Sequence, residues 1–299
     1  GFKYMTGGFS NSLVSGGSTY GTNQQSIQYP LNFWFCRNPG LALPLIALQY
    51  HEVQLKITWG VGYYNSSTNE SLTRRNQTLS TAHQLEVWAD YIYLDTDERR
   101  RFSQVSHEYL IEQLQIQKEK DVNNTTFKLN LEHPVKELIW ICRNKNAGKE
   151  YNTQTISNNA DAYSNNTVNI NKNNDYFNYM SIGNNYNEKL YTQNSYDGFD
   201  EVELILNGTS RFNKRKASYF RTIQPYNHHS KKANKYIYVY SFSLNPEKHQ
   251  PSGVCNFSKM KTSTLKLTNT VQNSEILIFA KSYNLLRIMK GQAGLSYTN

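Results

Sequence analysis

Residues 236–244 read YIYVYSFSL, an uninterrupted run of aromatic, β-branched and small residues that is typical of a β-strand. Val53, Leu55 and Ile57 alternate with polar residues, which is the period of a strand with one solvated face. Aromatic residues make up 13% of the chain and charged residues 18%, a balance that favours half-buried strands. We therefore predict an all-β fold, with further strands at 86–94, 124–131, 135–142, 201–206, 264–267 and 275–289.

The chain of 299 residues is long enough for two domains of ordinary size. A polar stretch with an apolar stripe of Ile111, Leu114 and Ile116 separates two sets of predicted strands. We predict a first domain at 1–108, a linker at 109–120 and a second domain at 121–299. The second domain contains 16 Asn among the 56 residues from 144 to 199, a composition too poor in aliphatic residues for a core of its own, and this insertion is expected to be a surface loop. Asn207-Gly208 predicts a hairpin turn.

Composition narrows the class of protein further. The formal charge of +9 favours contact with polyanions or with an acidic neighbouring subunit. Cys36, Cys142 and Cys255 lie far apart and indicate no disulfide framework. No apolar run reaches the roughly 18 residues that a membrane-spanning helix needs. The sequence opens on Gly1-Phe2-Lys3 without a secretion signal, and we expect it to begin within a longer protein.

A basic stretch is the main candidate for an interaction site. Tyr219, Phe220 and Tyr226 lie within it and could stack on bases, so binding of nucleic acid is one interpretation, and a plain solvated surface is another. The favoured interpretation is contact with adjacent subunits or with the inner side of a shell. The candidate residues are Arg211, Lys214, Arg215, Lys216, Arg221, Lys231 and Lys232, followed by Lys235.

Two small clusters suggest metal binding, and both have a simpler explanation. His228 and His229, even with His249 or Cys255, match no zinc-ligand spacing, so packing in a turn or interface is expected. Asp95 and Asp97 start like a calcium loop that lacks its glycine and final glutamate. They are instead expected to cap a short helix that continues into Arg99-Arg100-Arg101. No nucleophile-elbow, phosphate-loop or zinc-protease motif occurs, and we predict no catalytic residue, metal or cofactor.

Eight glycosylation sequons occur in this Asn-rich sequence. Four lie in polar stretches predicted to be exposed and are candidate sites of outward decoration: Asn65, Asn69, Asn76 and Asn165. The others are at Asn123, Asn124, Asn207 and Asn256, and Asn256 is expected to be buried.

Three long stretches carry a resemblance to a known family. The first stretch is residues 33–53 (FWFCRNPGLALPLIALQYHEV), and the second is residues 90–115 (from DYIYLD through RRRF to HEYLIEQLQ). The third consists of several segments between 206 and 296, such as QPYNHH at 224–229. They resemble, collinearly, major capsid proteins of nucleocytoplasmic large DNA viruses, such as phycodnaviruses, iridoviruses and mimivirus. The resemblance implies a double jelly roll, two side-by-side eight-stranded antiparallel sandwiches. It also implies that the first of these is incomplete here, because its early strands are missing.

The resemblance implies a structural function and no enzymatic one. Such a protein trimerises into pseudo-hexagonal capsomers that tile an icosahedral shell, so the expected location is the virion, after assembly in the host cytoplasm. The expected partners are other copies of the chain and neighbouring capsomers, with minor capsid proteins and the inner membrane as further candidates and no specific nucleic acid. A competing hypothesis from the fold alone is a lectin-like carbohydrate-binding sandwich.

Overall fold

The computed structural model describes residues 29–57, 86–119, 126–144, 197–231, 233, 236–270 and 274–297. These residues form two compact units. One contains the described residues before Ile111 together with Leu285–Ser296, and the other contains those from Ile111 to Asn284 together with Tyr297. The division falls within two strands, His107–Glu119 and Ser274–Met289. Of the Asn-rich insertion predicted to be a surface loop at 144–199, residues 145–196 lie outside the described residues, whereas Asn144 ends a strand and Phe199 is buried in the core.

The described residues form ten strands in two sheets. The strands are β1 (His107–Glu119), β2 (Thr126–Lys128), β3 (Pro134–Asn144), β4 (Glu201–Leu206), β5 (Thr209–Lys216), β6 (Ile237–Ser241), β7 (Cys255–Asn256), β8 (Ser263–Thr268), β9 (Ser274–Met289) and β10 (Gln292–Leu295). One sheet has the order β1-β9-β3-β6, with β10 added to β9 and β7 added to β3, and the other has the order β2-β8-β4-β5. Strands β2 to β10 pair antiparallel, which confirms the all-β prediction.

Helical segments are short. They are α1 (Thr96–Gln104), α2 (Gln224–His228), a π-helical turn at Tyr219–Ile223 that leads into α2, and 3-10 turns at Trp34–Cys36, Pro39–Leu41, Leu45–Ala47 and Phe257–Lys259. None of the helices in the described ranges has the length and apolarity that crossing a bilayer requires.

The core of the second unit lies between the two sheets. Alternate residues of facing strands point into it, as the pleat of a strand requires. Leu138 of β3 and Ala280 of β9 are directly opposed in register, and both are buried in this core. Tyr238 of β6 is fully buried there, with its ring centroid 4.5 Å from that of Phe199 and 6.0 Å from that of Trp140. Each fully buried large apolar side chain contributes roughly 1.5–3 kcal/mol of transfer free energy, so this aromatic cluster is a main source of stability.

The hairpin between β4 and β5 has the predicted turn. Asn207 and Gly208 adopt φ values of 51° and 79°, the left-handed conformation that a two-residue hairpin turn needs at both positions. The Asn207 side chain also accepts a hydrogen bond from the Lys261 backbone N–H at 2.8 Å. The turn is therefore joined to the segment that precedes β8.

Strand β1 occupies the stretch that was predicted to be a polar connector, and this prediction is wrong. Its glutamine side chains act as backbone partners: Gln115 donates to the Glu132 carbonyl at 2.6 Å and accepts from the Glu132 N–H at 2.9 Å. Gln117 donates to the Lys128 carbonyl at 2.7 Å and accepts from the Asn130 N–H at 3.0 Å. Within the described part of the strand predicted at 124–131, Thr126–Lys128 is a regular strand, and the Lys128 carbonyl and the Asn130 N–H are paired with the Gln117 side chain.

In the first unit, helix α1 begins as predicted. The Asp95 carboxylate accepts from the Glu98 N–H at 2.8 Å, and the Glu98 carboxylate accepts from the Asp95 N–H, which together form a capping box. The strands predicted around Val53–Ile57 and at 86–94 are wrong for the described residues, where 52–57 and 86–95 belong to no sheet. A strand needs a hydrogen-bonded neighbour, and the alternation that indicated these strands does not supply one.

Candidate interaction surface and buried ionic cluster

The basic stretch contains an edge strand that the sequence did not reveal. Among the described strands, β5 pairs with β4 alone and ends the four-stranded sheet. Its sequence, TSRFNKRK, is too polar to indicate a strand. Four of the predicted cations lie on it and all are exposed: Arg211, Lys214, Arg215 and Lys216. The register between β4 and β5 shifts twice. Cations and bulges both disfavour the addition of a further strand, so this edge presents positive side chains and no regular ladder.

The remaining predicted cations have different environments. Arg221 lies 3.0 Å from the Asp197 carboxylate and 4.7 Å from the centre of the Tyr236 ring. Burial lowers the pKa of Arg221, but the bond to Asp197 outweighs it and the net shift is upward. Lys231 is exposed, whereas Lys232 and Lys235 lie outside the described residues. Arg221 is thus held by an intramolecular ion pair, while the cations of β5 and Lys231 face solvent.

The aromatic residues of this stretch do not form a stacking platform. Phe220 is fully buried in the core, where its ring centroid lies 5.2 Å from that of Trp140. Tyr219 is half-buried, with the Arg215 guanidinium 4.6 Å from its ring centre. Tyr226 is exposed. One of the three aromatic residues considered for base stacking is therefore freely accessible, and nucleic-acid binding gains no support from their placement.

His229 lies between two carboxylates. Its Nε2 is 3.2 Å from Glu137 Oε2 and its Nδ1 is 3.3 Å from Glu247 Oε1. The neighbouring His228 contacts the Leu244 carbonyl through Nδ1 at 3.1 Å, while His249 is exposed and Cys255 is half-buried. Across the described parts of the chain, no group of three or more His, Cys, Asp or Glu side chains could hold a metal ion.

Glu137 and His229 belong to a larger ionic cluster, formed by Glu112, Lys136, Glu137, His229, Glu247 and Lys281. The Lys136 side chain is fully buried; its Nζ contacts Glu112 Oε1 and donates to the Pro246 carbonyl at 2.7 Å. Lys281 Nζ lies 3.5 Å from Glu112 Oε2 and 3.5 Å from Glu137 Oε1. Burial lowers the pKa of Lys136, and the hydrogen bond to Glu112 opposes that shift.

The strand pleat explains where this cluster lies. Glu137 and Lys281 are opposed in register, immediately beside the core-facing pair of Leu138 and Ala280. Alternation therefore places Glu137 and Lys281 on the other face of the sheet. Sequence reasoning missed the cluster, because its members are dispersed between positions 112 and 281. The one local signal was the Lys136-Glu137 pair inside an otherwise apolar strand, since charged residues are rarely buried unless they are paired.

The candidate glycosylation sites Asn65, Asn69, Asn76 and Asn165 all lie outside the described residues. Of the other sequons, Asn207 is exposed. Asn256 is half-buried, and its side chain accepts from the Ser258 N–H at 3.1 Å at the start of a 3-10 turn. Its amide is thus engaged in local structure.

Family models match almost the whole chain. The model described as large eukaryotic DNA virus major capsid protein matches residues 98–294, and the model described as major capsid protein N-terminus matches residues 10–95. The major capsid protein of Pyramimonas orientalis virus is 37% identical over an alignment that covers 100% of this chain and 68% of that protein. That of Paramecium bursaria Chlorella virus 1 is 36% identical, with 100% and 71% covered.

A solved structure gives the same result for the fold. A chain of the quasi-atomic model of the PBCV-1 virus capsid is 32% identical and aligns with a TM-score of 0.63, covering 91% of this chain and 70% of that one. This match confirms the double jelly roll predicted from the sequence.

Proposed function

This chain belongs to the family of large eukaryotic DNA virus major capsid proteins, and we propose that it trimerises into pseudo-hexagonal capsomers that tile an icosahedral viral shell. The observation that carries the proposal is the 37% identity to a major capsid protein along the entire chain. The relatives are capsid proteins, and they give no support to the lectin-like alternative.

The geometry of a double jelly roll suits this assembly. Two similar sandwiches in one chain, repeated by a threefold axis, produce a nearly sixfold outline, and such a particle fills a hexagonal lattice. Of the predicted division into 1–108, 109–120 and 121–299, the separation into two sandwiches remains part of the proposal, whereas residues 109–119 of the predicted linker belong to strand β1. Residues from Ile111 to Asn284 already supply a core enclosed by two sheets.

The proposed activity is assembly alone, without catalysis. Other copies of the chain and neighbouring capsomers are the proposed partners, with minor capsid proteins and the inner membrane side of the shell as further contacts. The virion is the proposed location, after assembly in the host cytoplasm. The exposed cations of β5, with Lys231, are proposed to contact adjacent subunits or the inner side of the shell, because they face solvent on an edge that resists strand addition.

Size-exclusion chromatography with light scattering tests the assembly step. The full chain should elute at about three times its mass of 34.7 kDa. Chemical cross-linking at low protein concentration should give dimer and trimer bands and no larger ladder. A monodisperse monomer in both experiments would contradict the proposal.

A further inference from the structure

The two ring nitrogens of His229 face different carboxylates, at 3.2 Å on the Glu137 side and 3.3 Å on the Glu247 side. A neutral imidazole has one N–H donor and one lone pair, whereas an imidazolium donates from both nitrogens. A neutral ring would therefore direct a lone pair at one carboxylate. Nδ1 is hydrogen-bonded to Glu247, and Nε2 lies within ion-pair distance of Glu137. Both contacts favour the charged form of the ring.

We propose that protonated His229 is a pH-dependent clasp that holds the segment 244–252 against strand β3. Glu247 belongs to this segment, and Glu137 belongs to β3. The Glu247 carboxylate also accepts from the Ser230 N–H at 3.0 Å. The segment is closed on itself by the bond from the Leu244 N–H to the Ser252 carbonyl at 3.1 Å. Loss of the imidazolium would remove this charged link and leave in place the buried bond from Lys136 Nζ of β3 to the Pro246 carbonyl of the segment.

The charges around His229 require its proton. The ionic cluster contains three carboxylates, from Glu112 on β1, Glu137 on β3 and Glu247 on the segment; Glu137 and Glu247 contact His229 directly. It contains two ammonium groups, from Lys136 on β3 and Lys281 on β9. The three negative charges are balanced when His229 adds a positive charge to those of the two lysines. Lys248 and His249 also lie on the segment, and both are exposed.

The direction of the pH dependence follows from the same contacts. The Glu137 carboxylate beside Nε2 raises the pKa of His229 above its ordinary value, against the opposing effect of burial. A group with a raised pKa in the folded state stabilises that state fully below its unfolded pKa, and this contribution is lost as the pH rises through the folded pKa. The clasp is therefore closed below the ordinary pKa of an imidazole, and it opens as the pH rises through the raised pKa of His229.

Histidine C2–H exchange, followed by mass spectrometry on the full chain, measures the titration of each imidazole without any substitution. His229 should titrate above its ordinary value of about 6.5. Amide exchange in 244–252, corrected for its intrinsic pH dependence, should then accelerate about tenfold across the His229 midpoint, the loss expected for one charge-assisted hydrogen bond. Amides of β3 and β9 should keep their protection.

Two variants separate the clasp from a general loss of structure. His229→Gln should abolish the pH dependence of exchange in 244–252, whereas the matched variant His249→Gln should retain it. If His229→Gln does not fold, the wild-type measurements decide alone. Titration of His229 at the ordinary value, or unchanged protection of 244–252 across the midpoint, would overturn the proposal. A monomeric chain would refute the assembly proposal and leave the clasp untouched.

Discussion

Replacing Lys136 by methionine removes the most deeply buried charge of the ionic cluster while keeping the side-chain length. The Lys136 side chain is 0% exposed and that of Glu112 is 5% exposed. The substitution leaves the Glu112 carboxylate without its shortest cationic contact and takes the donor from the Pro246 carbonyl. Removing one partner of a buried ion pair costs about 3–5 kcal/mol. Because Lys281 Nζ remains 3.5 Å from Glu112, we expect a value near the lower end of this range.

A double-mutant cycle with Glu112→Leu tests the physical cause. Replacement of a buried pair by apolar side chains is often neutral or stabilising, so Lys136→Met combined with Glu112→Leu should be more stable than Lys136→Met alone. The residual cost should be about 1 kcal/mol for the unpaired Pro246 carbonyl. Urea unfolding of the full chain, followed by circular dichroism and tryptophan fluorescence, measures both quantities.

An exposed lysine on the other sheet provides the control. Lys266 of β8 is exposed, and Lys266→Met should change the free energy of unfolding by no more than about 0.5 kcal/mol. If Lys136→Met were equally mild, or if the double variant lost the sum of the two single effects, the reasoning about a coupled buried pair would be refuted.

Three further predictions concern other parts of the molecule. Replacement of Arg211, Lys214 and Arg215 by glutamate should weaken trimer formation at least about tenfold and reduce its dependence on salt, as measured by light scattering across salt concentrations. Replacement of the exposed residues Lys128, Lys261 and Lys266 by glutamate is the control, and equal effects of the two variants would count against a role for β5. Gln115→Leu should lower the free energy of unfolding by about 1–3 kcal/mol in urea titrations, because it leaves the Glu132 N–H and carbonyl without their partner. Gln115→Glu keeps the acceptor but directs a carboxylate oxygen at the Glu132 carbonyl, so it should also destabilise the fold, and unchanged stability in both variants would argue against this pairing. Asp95→Ala should accelerate amide exchange at the start of α1 about fivefold, consistent with about 1 kcal/mol for a lost N-cap, while Asp95→Asn should retain most of the protection; unchanged exchange in the alanine variant would contradict the capping role.

Features that depend on local patterns were predictable from the sequence. Strands β3, β4, β6, β8 and β9 lie where β-forming residues are concentrated, and the Asn207-Gly208 turn lies where two left-handed residues are needed. The cap of α1 was also predictable, because Asp95 and Glu98 are three residues apart. In each case the interacting groups are neighbours along the chain, so their spacing contains the information.

Features that depend on distant partners were decided by the tertiary structure. Strand β1 is polar, and it is a strand because it pairs with β9. Its glutamine side chains in addition bind the backbone of residues 128–132. Conversely, the alternation around Val53–Ile57 and at 86–94 predicted strands that join no sheet among the described residues.

The ionic cluster shows the same limit most clearly. Lys136 meets Pro246 across 110 positions, and His229 meets a glutamate on either side only after β3 and the segment 244–252 have come together. A charge is tolerable in the interior when opposite charges and hydrogen bonds surround it. The sequence alone determined the family and those strands in which β-forming residues are concentrated. Which charges are buried, and what each one pairs with, was determined by how the strands pack.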